Sequence, residues 1–254
     1  MAITIKSERE IELMAEAGKI LERVHNELEK ALHPGMSTKD IDTLGEKIIR
    51  SYGCIPSFLN YNGYPASICV SVNQEVVHGI PDKHRIIHEG DIVSLDAGVI
   101  YKGYHSDAAR THAVGEVSEE AKKLIQVTKE CFFEGIKYAK AGNHLFDISG
   151  AIGRYAEERG YGVVRDLCGH GIGTALHEDP QIPNYAQKRR GVRLQAGMTL
   201  AIEPMINAGR ADVEWLDDDW TVVTRDGSLS AHYENTILIT EGEPRILSLT
   251  CDNE

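Results

Sequence analysis

Apolar side chains near the start of the chain recur at the spacing of an amphipathic helix. This stripe runs to Leu32, and Ser7 with Glu10 forms the sequence pattern of a capping box at its beginning. A second stripe opens after Ser37, a residue suited to a helix N-cap, and Gly53 is placed as its C-terminal stop. The pattern therefore predicts two consecutive helices.

The pattern then changes to short apolar runs that are typical of strands. Residues 67–72 predict one strand, residues 73–81 a loop, and residues 91–114 an antiparallel hairpin. Helical spacing returns in two segments, which predict helices over about 118–140 and 148–159. Helices and antiparallel hairpins in this order favour an α+β fold over a parallel α/β fold.

Two carboxylates lie inside the predicted hairpin. Gly103 can take the positive φ of a bulged turn, which places the centre of the hairpin between Tyr101 and Lys102. Asp96 and Asp107 then face each other directly, with Cβ atoms roughly 5 Å apart. Because like charges repel at this distance, the pair is expected either to share a proton or to bind a cation.

Several marker residues of the first half recur 107 positions later in the chain. The matched pairs are Gly35 and Gly142, Asp40 and Asp147, Gly53 and Gly160, and Asp96 and Glu203. We therefore predict two related halves, residues 7–114 and 118–240, within one domain that spans 1–254. The helices are expected on one face of the sheet, and a shared site on the other.

Composition narrows the range of partners and compartments. The formal net charge of −12 argues against binding to nucleic acid or to an anionic membrane. No apolar stretch approaches the ~20 residues of a membrane span, and the first residues lack a signal-type apolar region, so a cytoplasmic protein is expected. The five cysteines form no CxxC pattern and are expected to be free thiols. They are Cys54, Cys69, Cys131, Cys168 and Cys251.

Four acids and one histidine interrupt apolar or glycine-rich segments. They are Asp96, Asp107, His170, Glu203 and Glu234. A buried carboxylate without a partner costs several kcal/mol, so the four acids need an explanation. Ion pairs with lysine or arginine are the alternative for any single acid. Two divalent cations would balance all four charges at once, which favours a dinuclear metal site.

The ligand types narrow the metal and the chemistry. Oxygen-rich coordination with one imidazole favours Mn²⁺, Fe²⁺ or Co²⁺, with Zn²⁺ as an alternative. Two such cations would bridge and deprotonate a water, and the resulting hydroxide is the nucleophile of a hydrolase. His78 and His177 lie in loops rich in glycine and proline, where they could transfer protons or hold an oxyanion. Ordinary surface histidines are the alternative. The glycines around His170 would permit close approach of a bound group.

These residues resemble the type I methionine aminopeptidases of the M24 metallopeptidases, which have the pita-bread fold. The resemblance rests on the ordered ligand set and on the segments HGIP, CGHGIGTALHEDPQIPNY, AIEPM and WTVVTRDGSLSAHYENT, and it covers essentially the whole chain. It implies removal of the initiator methionine from nascent chains whose second residue is small. It also implies two divalent ions, with Co, Mn, Fe, Zn or Ni as the metal.

The resemblance also implies a role for each site residue. Asp96 would ligate one ion, Asp107 and Glu234 would bridge, and His170 with Glu203 would complete the second site. His78 and His177 would contact the substrate, and Glu203 would also transfer the proton. The implied methionine pocket consists of Phe58, Tyr61, Tyr64, Cys69, Leu176 and Trp220. Phe58 replaces the small residue of some members, and Leu176 replaces a common aromatic.

Partners and rival functions follow from the same resemblance. The implied partner is the N-terminus of nascent polypeptides at the ribosome. The protein is expected to be a monomer and to bind no nucleic acid directly. Because the chain begins Met1-Ala2, removal of its own Met1 is expected. One alternative is a prolidase or aminopeptidase P, but these carry a separate N-terminal domain. The other is a non-catalytic binding protein of the same fold, but such relatives have lost metal ligands.

Overall fold

A computed structural model describes residues 3–249. Met1 and Cys251 lie outside the described residues, and so do the predictions made for them. The described helices are α1 (Glu8–Ala31), α2 (Thr38–Ser51), α3 (Glu119–Ile136) and α4 (Leu145–Glu157). The strands are β1 (Ile55–Pro56), β2 (Ile68–Val72), β3 (Glu75–Val77), β4 (Ile92–Tyr101), β5 (Tyr104–Ala113), β6 (Gly162–Val163), β7 (Gly169–Gly171), β8 (Glu178–Ile182), β9 (Thr199–Ile202), β10 (Met205–Asn207), β11 (Val213–Trp215), β12 (Val222–Thr224), β13 (Ser230–His232), β14 (Glu234–Leu238) and β15 (Arg245–Ile246).

The first two helices begin where the capping residues predict. The Ser7 backbone N–H donates to the Glu10 carboxylate at 2.8 Å, and the Ser7 hydroxyl accepts from the Glu10 backbone N–H. Ser37 and Asp40 repeat this reciprocal arrangement at the start of α2. Gly53 follows α2 with φ of 73°, a value that glycine adopts without strain. Both predicted helices are therefore confirmed.

The boundaries of the later helices differ from the prediction. Helix α3 ends at Ile136, because hydrogen bonds three residues apart replace the α-helical ones and carry the chain in tight turns to Lys140. Helix α4 begins at Leu145, before the predicted start, since the Asp147 carboxylate accepts from the His144 N–H at 2.9 Å. The apolar stripe alone did not reveal this start. The loop predicted between the first strand and the hairpin contains β3.

An antiparallel sheet carries the site. Nine strands form it, in the order β1-β4-β5-β14-β9-β7-β8, with β2 paired to β4 and β15 to β14. Every ladder between these strands is antiparallel, which confirms the predicted α+β class. One apolar core lies between the sheet and helices α1 and α2, and a second beneath α3 and α4. The helices thus cover one face, and the other face is left for the site.

The hairpin register differs from the prediction. Tyr101 pairs with Tyr104, so Lys102 and Gly103 alone form the turn, with φ of 49° and 87°. Two residues of positive φ match the twist of the strands, but a lysine adopts this conformation rarely, so the sequence pointed to a longer turn. Asp96 consequently pairs with Ala109 instead of Asp107. The shift is an even number of positions, and both carboxylates therefore remain on one face of the sheet.

Positions 107 residues apart have matching backbone roles. Gly35 and Gly142 have φ of 95° and 93°, and each lies just before the N-cap of a helix. Asp40 and Asp147 each accept a hydrogen bond from the backbone of that N-cap residue. Strands of the two halves pair with each other where β5 meets β14 and where β3 meets β12. Each half thus brings its own strands and helices to a common sheet.

The described part of the chain contains neither a membrane-spanning helix nor a disulfide. None of its helices combines the length and the hydropathy needed to span a bilayer. Cys54, Cys69, Cys131 and Cys168 are free thiols, as predicted. Burial raises the pKa of Cys69 well above that of an ordinary thiol, which keeps it protonated.

Candidate metal centre

Three carboxylates lie on the face of the sheet that the helices do not cover. Alternate residues of a strand point to opposite faces, so Asp96 on β4 points away from its neighbours Leu95 and Ala97, which belong to the helix-side core. Asp107 on β5 and Glu234 on β14 occupy equivalent positions on adjacent strands. The strand pairing therefore gathers three acids that are distant in sequence.

His170 and Glu203 reach the same face from the second half. His170 lies on β7 opposite Ala201, and Glu203 directly follows β9. A Cβ atom at Gly169 would lie 2.4 Å from the Ala201 carbonyl oxygen, and one at Gly171 would lie 2.1 Å from a neighbouring carbonyl oxygen. The glycines beside His170 thus allow close packing of adjacent strands, whereas the sequence suggested close approach of a bound group.

All of the predicted site residues line one cavity of about 120 Å³. Its lining consists of Phe58, Tyr61, Asn62, Tyr64, Cys69, His78, Asp96, Asp107, His170, Leu176, His177, Glu203, Trp220 and Glu234. The volume is several times the ~30 Å³ that one water molecule occupies in the liquid. The cavity therefore has room for part of a ligand beside the carboxylates. Asn62 is the one lining residue that the sequence analysis did not name.

The donor atoms at the cavity floor lie close together. One atom each of Asp107, His170 and Glu234 lies within 4.8 Å of the others. The His170 Nε2 atom is 3.9 Å from Asp107 Oδ2 and 3.7 Å from Glu203 Oε1. The other ring nitrogen, Nδ1, is 2.9 Å from the carbonyl oxygen of Gly171. A carbonyl only accepts, so Nδ1 carries the hydrogen and Nε2 presents a lone pair to the carboxylates.

Burial and mutual repulsion disfavour the charged form of every acid in the cavity. Burial raises the pKa of Asp96 to about 8. For Asp107, burial and the charges of Asp96 and Glu203 raise the pKa well above its ordinary value. The pKa of Glu203 rises through burial and Asp96, and that of Glu234 through burial and the neighbouring acids. The cluster therefore requires protons or cations.

The unpaired atoms of the cavity fit divalent cations. Asp96 Oδ1, Asp107 Oδ1 and Glu234 Oε1 are buried and have no hydrogen-bond partner among the described residues. Unpaired buried oxygens of this kind cost about 1–3 kcal/mol each, and more when they are charged. Together with the lone pair of His170 Nε2, they form an oxygen-rich donor set with one imidazole. These residues are suited to hold divalent metal ions.

Two histidines flank the donor atoms of the cavity. The His177 ring lies edge-on to His170, with centroids 4.2 Å apart. His78 packs edge-on to Trp220 at 6.2 Å and has φ of 60°. Burial and the neighbouring His177 lower the pKa of His78 to about 4, and burial lowers the pKa of His177. Both rings are therefore neutral at pH 7.

Aromatic and aliphatic side chains form the remaining wall. Tyr64 packs edge-on to Trp220 at 5.1 Å, and its hydroxyl donates to the Gly79 carbonyl at 2.9 Å. Phe58, Cys69 and Leu176 belong to the same buried apolar cluster. These side chains therefore both pack in the core and line the cavity.

His232 is a neighbour of the acids that the sequence analysis did not name as a site residue. Its Nε2 atom lies 4.0 Å from Glu203 Oε2 and 4.0 Å from Glu234 Oε2. The signal was present in the chain, because His232 precedes Glu234 by two positions and such residues share a face of an extended segment.

Comparison with known proteins gives the same family. The sequence model of metallopeptidase family M24 matches residues 12–241. A methionine aminopeptidase of Clostridium acetobutylicum is 58% identical, with 97% of this chain and 99% of that protein covered. The crystal structure of methionine aminopeptidase from Thermotoga maritima superposes with a TM-score of 0.96 at 47% identity, covering 98% of this chain and 100% of that one.

The predicted alternatives are less similar. Xaa-Pro dipeptidase from Bacillus anthracis has a TM-score of 0.77 and 26% identity, and the match covers 97% of this chain but only 62% of that one. Additional chain beyond the shared fold was the feature expected of the prolidase alternative. The pita-bread fold predicted from the sequence is confirmed by these superpositions. The chain therefore belongs to metallopeptidase family M24 and, within it, to the methionine aminopeptidases.

Proposed function

We propose that this chain holds two divalent cations and uses them to remove the N-terminal methionine from peptides whose second residue is small. Asp96 would hold one ion, His170 and Glu203 the other, and Asp107 with Glu234 would contact both. In support, His170 forms a close donor group with Asp107 and Glu234, the two residues assigned to bridge. The four carboxylates also match the charge of two divalent ions. The convergence of the five donors in one cavity carries this assignment.

Divalent cations supply a Lewis acid that polarises the scissile carbonyl and lowers the pKa of water. The side chains then handle the protons. Glu203 accepts a proton from the attacking water on a carboxylate oxygen and transfers it to the amine released when the C–N bond breaks.

His177 stabilises the oxygen of the scissile carbonyl. Its Nδ1 atom lies 2.8 Å from the Tyr61 hydroxyl. With the Tyr61 hydroxyl donating to Nδ1, the ring hydrogen of His177 resides on Nε2, where it can donate to the developing oxyanion. His78 contacts the peptide from the opposite wall, beside Trp220.

The apolar wall binds the methionine side chain. Phe58, Tyr64, Cys69, Leu176 and Trp220 present apolar surface beside the donor atoms. A methionine held there brings its carbonyl to His177 and its amine to the acids. The next side chain then lies close to the metal-holding residues, where little space remains. This steric limit explains the restriction to a small second residue.

The substrate indicates the compartment and the partners of the protein. Nascent polypeptides supply such N-termini at the ribosome in the cytoplasm, and free buried thiols suit that reducing compartment. The formal charge of −12 opposes direct binding to nucleic acid. The M24 match across both halves supports one catalytic domain over residues 1–254.

A peptide assay tests the function. Chelator-treated protein is incubated with Met-Ala-Ser and with Ala-Pro peptides, each with and without Mn²⁺ or Co²⁺. We expect metal-dependent release of methionine from the first peptide alone. Preferential cleavage of Ala-Pro would instead assign a prolidase-type activity, and absence of any metal-dependent cleavage would assign a binding protein. Metal analysis of protein purified without chelator identifies which ions the site retains.

A further inference from the structure

His232 is a buried imidazole to which the proposed mechanism gives no part. It is 2% exposed, and neither of its ring nitrogens has a hydrogen-bond partner among the described residues. A buried donor without an acceptor is unfavourable. The Nε2 atom lies 4.0 Å from one oxygen of Glu203 and 4.0 Å from one oxygen of Glu234.

Contacts on two sides hold the backbone of His232 next to the acids. One hydroxyl, that of Thr111, accepts from the His232 backbone N–H and donates to the His232 carbonyl oxygen, both at 2.9 Å. On the other side, His232 pairs with Met205 in the β10–β13 ladder. Thr111 lies on β5 four residues beyond Asp107 and therefore on the same face. These contacts hold the backbone of His232 and so keep its ring beside the carboxylates.

His170 and His232 flank Glu203, but they differ in which ring nitrogen carries the hydrogen. His170 Nε2 lies 3.7 Å from one Glu203 oxygen, and His232 Nε2 lies 4.0 Å from the other. The Gly171 carbonyl fixes the hydrogen of His170 on Nδ1, which leaves Nε2 as a lone pair for a cation. No such acceptor fixes the hydrogen of His232 on Nδ1 within residues 3–249. His232 is thus suited to donate from Nε2.

We propose that His232 is a positioning residue whose Nε2–H donates to the carboxylates of Glu203 and Glu234 when the site is loaded. Each carboxylate then turns its remaining oxygen toward the cations. A movement of about 1 Å brings the observed separations into hydrogen-bond range. Groups that orient metal ligands in this way typically change metal affinity by 10–100-fold. This inference rests on the proposed metal site and adds a residue that governs its affinity.

A matched pair of variants tests the donor. His232→Gln and His232→Met have side chains of similar size and flexibility, but only glutamine offers an N–H. Mn²⁺ binding to chelator-treated protein is measured by isothermal titration calorimetry. We expect His232→Met to weaken binding at least tenfold with unchanged stoichiometry, and His232→Gln to remain within about threefold of the parent.

Two further readouts separate positioning from a structural role. The melting temperature of metal-free His232→Met should not fall, because an unpaired polar group is replaced by an apolar one, while its gain in melting temperature on adding Mn²⁺ should shrink. His25→Leu serves as the control, since it removes a buried imidazole on α1, where His25 Nε2 contacts the Ala108 carbonyl oxygen at 2.8 Å. It should change stability and leave Mn²⁺ affinity unaltered.

Other outcomes would overturn the proposal. Equal affinity of His232→Met and the parent would leave the donor without a role. Loss of one ion in both variants would make His232 a ligand. If His232→Met does not fold, ¹⁵N-histidine NMR of the Zn²⁺-loaded parent decides, because a hydrogen on Nδ1 or a metal-bound Nε2 contradicts the proposal. A parent that binds Mn²⁺ without cleaving Met-Ala-Ser would refute the proposed function alone.

Discussion

The hydroxyl of Tyr61 and the Nδ1 atom of His177 lie 2.8 Å apart, and their rings meet edge-on with centroids 5.2 Å apart. This contact occupies one ring nitrogen of His177 at the cavity wall. The same ring also packs against His170. Tyr61 therefore orients a histidine that lies beside the donor group of Asp107, His170 and Glu234 without belonging to it.

Replacement of His177 separates substrate polarisation from metal binding. We expect His177→Ala to lower kcat by a factor of about 10² or more, because an oxyanion donor is lost, while metal content stays unchanged. Tyr61→Phe keeps the ring and removes only the orienting hydroxyl, so it should lower kcat less. Steady-state kinetics and metal analysis check both variants. A metal content that falls in step with the rate would place His177 among the ligands.

Asp107→Asn should abolish both metal retention and turnover. This residue lies in the close donor group with His170 and Glu234, and an amide supplies neither the charge nor the second oxygen of a bridging carboxylate. Metal analysis after gel filtration and cleavage of Met-Ala-Ser are the measurements. Asp217→Asn, on an exposed carboxylate, is the matched control and should behave as the parent. Full activity of Asp107→Asn would exclude the dinuclear assignment.

Glu203→Gln isolates the proton-transfer role. Glutamine keeps one oxygen that can face a cation but cannot accept and release a proton at neutral pH. We expect kcat to fall by about 10² or more while KM changes little, because general acid–base catalysis typically contributes 10²–10⁴-fold. The experiment compares turnover at equal metal occupancy. A variant with both ions and full turnover would leave Glu203 no part in moving protons.

Metal-free protein should become less stable as pH rises from 7 to about 8.5. Asp96 has a folded pKa of about 8 against an ordinary value of 3.8, so the folded state binds more protons and loses stability as pH rises through that range. The buried histidines affect stability only below pH 7. Their pKa values are lowered in the folded protein, so they reduce stability only at pH values where the histidines of the unfolded chain are protonated. Urea unfolding of chelator-treated protein checks the sign. Stability that rises with pH over this interval would contradict it.

Binary patterning and capping residues determined much of the fold in advance. Ser7 with Glu10 and Ser37 with Asp40 located the first two helices, because capping boxes combine a local hydrogen-bond pattern with an apolar stripe. Acids inside apolar strands likewise indicated the carboxylates that converge in the cavity, since burial of an unpaired charge is energetically costly.

Other features depend on tertiary context that local patterns do not contain. The hairpin register depends on the positive φ of Lys102. Lysine adopts this conformation rarely, so the residue type does not predict it. The short strands β6 to β13 lie among glycines and prolines and form only because neighbouring strands supply their partners. His232 was not predicted as a site residue, because a single histidine in a strand is usually part of the core.

The pairing of β5 with β14 joins the two halves of the chain, and it is short. It comprises the pairs Glu234 with Ala109 and Asn235 with Ala108, reinforced by the Thr236 hydroxyl, which contacts both the amide nitrogen and the carbonyl oxygen of Asp107 at 2.9 Å. The same two strands carry Asp107 and Glu234. Cations bound between these acids would cross-link the halves. Once the metal is removed, the backbone amides of this ladder should therefore exchange hydrogen with solvent faster than those of the other central strands.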